Sequence, residues 1–214
     1  MKKGILFDLD GTLWDSSEQV VRAWNKCIHE KTERPEQISS EFMRNSCMGK
    51  ILPEIAKLIF PEVEEAERLR ILKMCSEEEL GYLSSLTDDR PPLYPDEHEI
   101  IRTLAQEYTL GIVSNCQSGY IEIYLSQIDF AEAFTDIECA GNTGLSKGDN
   151  IKLLMERQGI EKCVYVGDTQ GDANAAKEAG IPFIYAAYGF GKADNCTAVL
   201  DDIRKLPELV KTII

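Results

Sequence analysis

Gly4-Ile5-Leu6-Phe7-Asp8-Leu9-Asp10-Gly11-Thr12 is the stretch from which the fold reads outward. Gly4 to Asp10 is a short apolar run with two aspartates at its end. It predicts a buried parallel strand, stopped by Gly11 and Thr12. Placing carboxylates at the end of a buried strand is expensive unless something compensates. Two so close repel, and one titrates high unless a cation intervenes. Capping of the next turn explains one of the pair but leaves the other without a purpose.

Downstream of this strand the texture changes. Ser16 or Ser17 can cap a helix, and Val20, Trp24, Cys27 and Ile28 recur at helical spacing. Ser40 opens a second helix through Phe42 and Met43. Lys50 to Phe60 makes a third, with a break expected at Pro53. Pro61 sits where a first helical turn tolerates proline, and a long helix follows through Val63, Ala66, Leu69, Leu72 and Cys75. Arg90-Pro91-Pro92 is a stiff linker. Helix and strand then alternate: helices at 97–108, 120–127, 146–158, 171–179 and 202–213, strands at 110–114, 137–140, 163–167 and 183–187. Ser146-x-x-Asp149 reads as a capping box. Such alternation gives a parallel sheet covered on both faces through right-handed crossovers. The expected architecture is an α/β, Rossmann-like parallel-sheet core, residues 1–15 and 91–214, with an inserted α-helical cap domain at 16–90.

Composition sets the boundaries of function. The chain has 214 residues, with 23 Lys+Arg against 37 Asp+Glu, a net charge of −14. At about 150 residues per domain, one domain plus an insert fits. So acidic a chain, without a basic patch, excludes nucleic acid and anionic membranes as partners. No apolar run approaches the roughly 20 residues of a membrane span. Ile5–Phe7 is too short for the core of a signal peptide, and Asp8 interrupts it. The seven cysteines are odd in number and form no CxxC pair, which points to a reducing, cytoplasmic compartment. There the Asn195-Cys196-Thr197 sequon means nothing. With only His29 and His98, a His-rich metal site is excluded. Nothing points to an obligate assembly, and a monomer is expected. Cys116 receives no role.

In open α/β sheets ligands bind at the carboxyl ends of the strands. Those ends offer Asp8 and Asp10, then Ser114 and Asn115, then Asp168 with Asp172 four residues on. Asp168 and Asp172 alone are explained by the helix dipole. Converging with Asp8 and Asp10, they call for a hard cation with oxygen ligands, most simply Mg²⁺. Lys147 opposes the dipole in a first helical turn; it is either a solvated lysine or a point charge for phosphate. Ser114, ahead of a helix N-terminus, either satisfies its own loop or joins an anion-binding turn. Together these groups suit a phosphoryl group. Asp8 can attack phosphorus, since carboxylate nucleophiles form aspartyl-phosphates, and Asp10 is near enough to serve as acid and then base.

Phe7-Asp8-Leu9-Asp10-Gly11-Thr12-Leu13-Trp14-Asp15-Ser16 resembles the first motif of the haloacid dehalogenase (HAD) superfamily. Ile112-Val113-Ser114-Asn115 is similar to the second, and Lys147 stands where the third has its lysine. Val166-Gly167-Asp168-Thr169-Gln170-Gly171-Asp172 resembles the fourth. The resemblance spans nearly the whole chain. It implies that Asp8 is nucleophile and metal ligand. It makes Asp10 the general acid/base, binding metal through its main-chain carbonyl. Asp168 becomes a metal ligand, Asp172 a direct or water-mediated support of the metal, and Ser114 and Lys147 the holders of the phosphoryl group. The insert resembles the type-1 cap of phosphoglycolate phosphatase-like and β-phosphoglucomutase-like members. Tyr188-Gly189-Phe190-Gly191 resembles an aromatic-glycine segment of the former. One departure is visible: Gly148 follows Lys147, where many members have proline.

The acid at Asp10 separates this chain from dehalogenase and phosphonate-cleaving members, which lack it. Lys50 is therefore not read as a Schiff-base lysine. The expected function is a Mg²⁺-dependent phosphatase acting on a small phosphorylated metabolite. The alternatives are a sugar phosphomutase of the β-phosphoglucomutase type and a non-catalytic binding module; intact Asp8 and Asp10 speak against the last. Arg44, Gly49 and Lys50, in a break between cap helices, and Asn115 are the candidates to meet the substrate.

Overall fold

The computed structural model describes residues 1–32 and 34–214. Strand β1 (Lys3–Phe7) lies at the middle of the sheet. It is flanked on one side by β2 (Thr109–Ser114) and β3 (Phe134–Cys139), and on the other by β4 (Lys162–Gly167), β5 (Phe183–Ala186) and β6 (Ala198–Leu200). The order is β3-β2-β1-β4-β5-β6, every pair parallel. The direction of winding reverses at β1. The crevice at its carboxyl end is therefore the topological switch point.

Alternation builds the two faces of the sheet. Ile5, Phe7, Ile112, Val164 and Val166 belong to one buried cluster. Leu6, Val113 and Tyr165 join another, with Ile151 and Leu154 of α8 (Lys147–Gln158) and Ala173 and Ala176 of α9 (Gln170–Ala179). Successive side chains on a strand point to opposite faces, so one apolar run supplies both. Phe7 is in register with Ile112 and with Val166. This places Asp8, Ser114 and Asp168 together just past the strand ends.

The insert between β1 and β2 is helical. It holds α1 (Ser17–Thr32), α2 (Ser40–Phe42), a π-helical turn (Met43–Cys47), α3 (Leu52–Ile59) and α4 (Glu65–Ser85), with α1 packed along α4. Its two connections to the sheet run side by side. Trp14 bridges Leu93 in antiparallel fashion, and the Asp15 amide donates to the Pro92 carbonyl at 3.0 Å. Four further helices complete the fold: α5 (Glu97–Leu104), α6 (Tyr120–Gln127), α7 (Ala140–Thr143) and α10 (Leu206–Ile213). Among the described residues, no helix is long and apolar enough to cross a membrane.

Several expected boundaries move. Pro53 does not break α3; it sits in its first turn, where a missing N–H costs nothing. Pro61 opens no helix, because α4 starts only at Glu65. Strand β3 begins at Phe134 rather than Ile137. The full capping box is Thr169/Asp172 at α9; Ser146 accepts from the Asp149 amide without the reciprocal bond. All seven cysteines are free, five of them buried.

Candidate active site

Asp8 is buried beside Lys147, whose Nζ stands 3.0 Å from Asp8 Oδ1 and donates to Asp172 Oδ1 at 2.6 Å. Ser146 caps α8 and aims Lys147, its first residue, into the crevice. Gly148 has a packing reason: a Cβ there would meet the Glu178 side chain at 2.5 Å, so a glycine lets α8 approach α9. Burial pulls the Lys147 ammonium down, but Asp172 and Asp8 outweigh it and hold it charged.

The carboxylates differ in what satisfies them. Both Asp172 oxygens are occupied: Oδ1 by Lys147, Oδ2 by the Thr169 amide at 2.9 Å and hydroxyl at 2.7 Å. Asp172 thus orients Lys147 and the start of α9. Asp168 Oδ2 accepts from the amides of Phe190 at 2.7 Å and Gly191 at 3.2 Å, so the aromatic-glycine segment clamps it. Asp168 Oδ1 and Asp8 Oδ2 are buried without a hydrogen-bond partner among the described residues, and Asp8 Oδ1 faces the Lys147 ammonium. Oxygens of Asp8, Asp168 and Asp172 all lie within 4.8 Å of one another. Three buried acids beside one lysine leave excess negative charge. Burial, then Asp172, pushes the Asp8 carboxyl up to about 7 against the pull of Lys147. Burial, then Asp172 and Asp8, likewise raises Asp168. Unmet hard oxygen donors with surplus charge are the donor set a Mg²⁺ ion fits.

Asp10 faces the other way. Its Oδ1 is reached by Trp14 Nε1 at 2.9 Å, Ser16 Oγ at 2.6 Å and Tyr120 Oη at 3.0 Å. No hydrogen bond reaches Oδ2, or the Asp10 main-chain carbonyl, among the described residues. Burial raises the Asp10 carboxyl, and the Ser16, Tyr120 and Trp14 donors oppose it. Asp10 and Ser114 line a small cavity of about 40 Å³ under the helical insert, with Asn115, Gly49 and Lys50. A wider cleft of about 590 Å³ opens beside it and reaches Lys147 and Asn115.

The structure brings together Asp8, Asp10, Ser114, Asn115, Gly49, Lys50, Lys147, Asp168 and Asp172. Asn115 Nδ2 donates to the Gly49 carbonyl at 2.9 Å, tying the insert to the sheet. Gly49 has φ +80°, and a Cβ there would come within 3.0 Å of Thr169. Arg44 stands apart: its guanidinium pairs with Asp15 at 3.0 Å, at the connection between insert and core, and is spent there. Ser114 is the last residue of β2, ahead of α6, which begins at Tyr120. Sequence reasoning missed Trp14, Ser16 and Tyr120 as the anchors of Asp10. It also missed Glu79, buried on α4 in the same cavity. A signal was present for the last, since 72, 75, 79 and 83 are helically spaced and all four are buried.

Residues 5–186 match the family described as haloacid dehalogenase-like hydrolase. The chain belongs to that family. Among relatives of this haloacid dehalogenase-like hydrolase, the phosphoglycolate phosphatase of Shigella boydii is 26% identical, covering 88% of this chain and 82% of that one. The phosphoglycolate phosphatase of Pseudomonas fluorescens is also 26% identical, covering 94% and 77%. Among solved structures, a haloacid dehalogenase-like family hydrolase from Streptococcus pneumoniae superposes with a TM-score of 0.81 at 18% identity, covering 98% of each chain. A HAD-superfamily hydrolase of subfamily IA from Geobacter sulfurreducens gives 0.71 at 19% identity, covering 98% and 96%. These structural neighbours share the fold.

Proposed function

We propose that this hydrolase is a Mg²⁺-dependent phosphatase that cleaves a small phosphorylated metabolite through an aspartyl-phosphate on Asp8. The observation that carries the reading is the buried carboxylate of Asp8, one oxygen held by Lys147 and the other unmet, set beside Asp168. The relatives named phosphoglycolate phosphatases support the reaction class. Asp8, Asp168 and the Asp10 main-chain carbonyl would hold Mg²⁺, with Asp172 in support. Bound there, the ion would neutralise charge between Asp8 and the phosphoryl group.

The chain's own residues supply the rest. Lys147 and Ser114 hold the equatorial phosphoryl oxygens. Asp8 attacks phosphorus in line; a bond forms from its carboxylate oxygen as the ester P–O bond breaks. Asp10, protonated, gives its proton from Oδ2 to the departing oxygen. It then takes a proton from water, whose oxygen attacks phosphorus, releasing inorganic phosphate and free Asp8. Oδ1 of Asp10 stays anchored by Trp14, Ser16 and Tyr120 while Oδ2 works toward the cavity. Positioning and electrostatics provide most of the acceleration.

Residues 16–90 act as a cap that closes over this step and excludes water. All of the assigned groups come from one chain. The test is phosphate release from a panel of small phosphate esters with and without Mg²⁺. Release by the wild type, dependent on Mg²⁺ and lost in Asp8→Asn while the circular dichroism spectrum is kept, is expected. Release that survives Asp8→Asn overturns the nucleophile assignment.

A further inference from the structure

The cap carries a buried acid that the reaction does not use. Glu79 is only 4% exposed, and its Oε2 accepts from Trp24 Nε1 at 2.7 Å. Gln117 also acts on this carboxyl as a donor, and no salt bridge reaches it among the described residues. Its neighbours behave differently: Glu77 is exposed, and Glu78 pairs with Lys26 and Lys31. One acid of the three is thus turned inward, at a position that apolar residues hold elsewhere on α4. The cavity it lines also contains Asp10, Tyr120 and Gln117. Gln117 Nε2 is buried there beside Glu79, short of a full hydrogen bond, so a polar group entering the cavity can meet both.

We propose that Glu79 and Gln117 select the leaving group, favouring an uncharged, hydroxyl-bearing one over one that carries a carboxylate. This rests on the phosphatase reading and adds the substrate class. A hydroxyl can donate to Glu79 and accept from Gln117 in the same pose. A carboxylate can only accept; it satisfies Gln117 but turns its charge on Glu79. Lys50 is the cation of the cavity lining, and it is exposed at the rim. Selectivity of this kind comes from the repulsive element as much as from the attractive one. By this reading the chain departs in substrate from the relatives named for phosphoglycolate, a carboxylate-bearing ester.

Two matched pairs test it: 2-hydroxyethyl phosphate against phosphoglycolate, and glycerol 3-phosphate against 3-phosphoglycerate. Within each pair only CH₂OH and COO⁻ differ. Phosphate release in Mg²⁺ gives kcat/KM for all four. The wild type is expected to favour the hydroxymethyl member of each pair by about tenfold or more, and Glu79→Gln to shrink that ratio by about tenfold. Equal or inverted preference in the wild type, turnover of neither pair, or a ratio unmoved in Glu79→Gln overturns the proposal. Should the variant fail to fold, the wild-type ratio decides alone. p-Nitrophenyl phosphate reports the underlying reading separately: no Mg²⁺-dependent hydrolysis of it sinks the phosphatase assignment itself, whereas hydrolysis with the wrong pair preference sinks only the selection.

Discussion

Asp8 and Asp168 differ from the other buried acids in how their oxygens are met. Asp168 gives one oxygen to two amides and keeps the other free; Asp8 gives one to Lys147 and keeps the other free. The clamp on Asp168 depends on a very close approach. A Cβ at Gly189 would lie 2.3 Å from the Asp168 Cβ and from the Gly11 carbonyl oxygen. Gly189→Ala must therefore push the segment 188–191 off Asp168. The expected outcome is a loss of roughly 1–3 kcal/mol of stability, as for overpacked cores, together with weaker Mg²⁺-induced stabilisation in thermal melts. An unchanged melting temperature and an unchanged response to Mg²⁺ would show that the segment does not position Asp168. The segment was visible in the sequence as a resemblance; that its amides hold the acid was not. Amide direction depends on a loop folding back from β5, and no residue type encodes it.

At the scale of elements, strand ends were legible because chemistry and periodicity agreed there. Short apolar runs ended in Asp8, Ser114 and Asp168, and α6 runs over the expected 120–127. Strand β6 was not legible: it has three residues, and Val199 is 57% exposed, so there is no apolar run to find. Glu79 was hidden in a run of three acids that composition reads as a wet face. Glu97 is a similar case at the first turn of α5. It is buried, accepts from the Tyr124 hydroxyl at 2.7 Å and from the Tyr94 amide at 3.2 Å, and so ties α5 to α6. Burial pushes its carboxyl from 4.5 up to about 8 against those donors. The folded state then keeps a proton that the unfolded chain releases. This contribution to stability is whole below about pH 4.5 and is lost as pH rises to about 8. Glu97→Gln, which cannot ionise, should flatten the fall of Tm measured by thermal unfolding across that range. A fall as steep as in the wild type would mean that Glu97 ionises freely in the folded state.

For the whole molecule, the sheet carries the acids and the lysine of the candidate site, and the helical insert lines the cavity beside them. A helical insert was legible because the texture changes after the first strand and helix–strand alternation resumes beyond Arg90-Pro91-Pro92. How the two halves meet was not, since it depends on side chains distant in sequence. Asn115 reaches Gly49 across 66 positions, and Tyr120 reaches Asp10 across 110. Arg44, one of the cap candidates read from the sequence, is held at the connection by Asp15. Two acids, Asp10 and Glu79, take part instead in lining the cavity between the halves. The cavity of about 40 Å³ has room for a few waters, and the wider cleft of about 590 Å³ beside it reaches Lys147.

The central claim is that phosphorus is transferred to Asp8. Rapid acid quench during turnover in Mg²⁺, followed by borohydride reduction and peptide mass spectrometry, reads it directly. The reduction converts an aspartyl-phosphate to homoserine. In Asp10→Asn given p-nitrophenyl phosphate, whose leaving group needs no proton while the second step lacks its base, the account predicts homoserine at position 8 with ester and Mg²⁺ present, and none without either. Phosphate released in a burst with position 8 still aspartate throughout would contradict it.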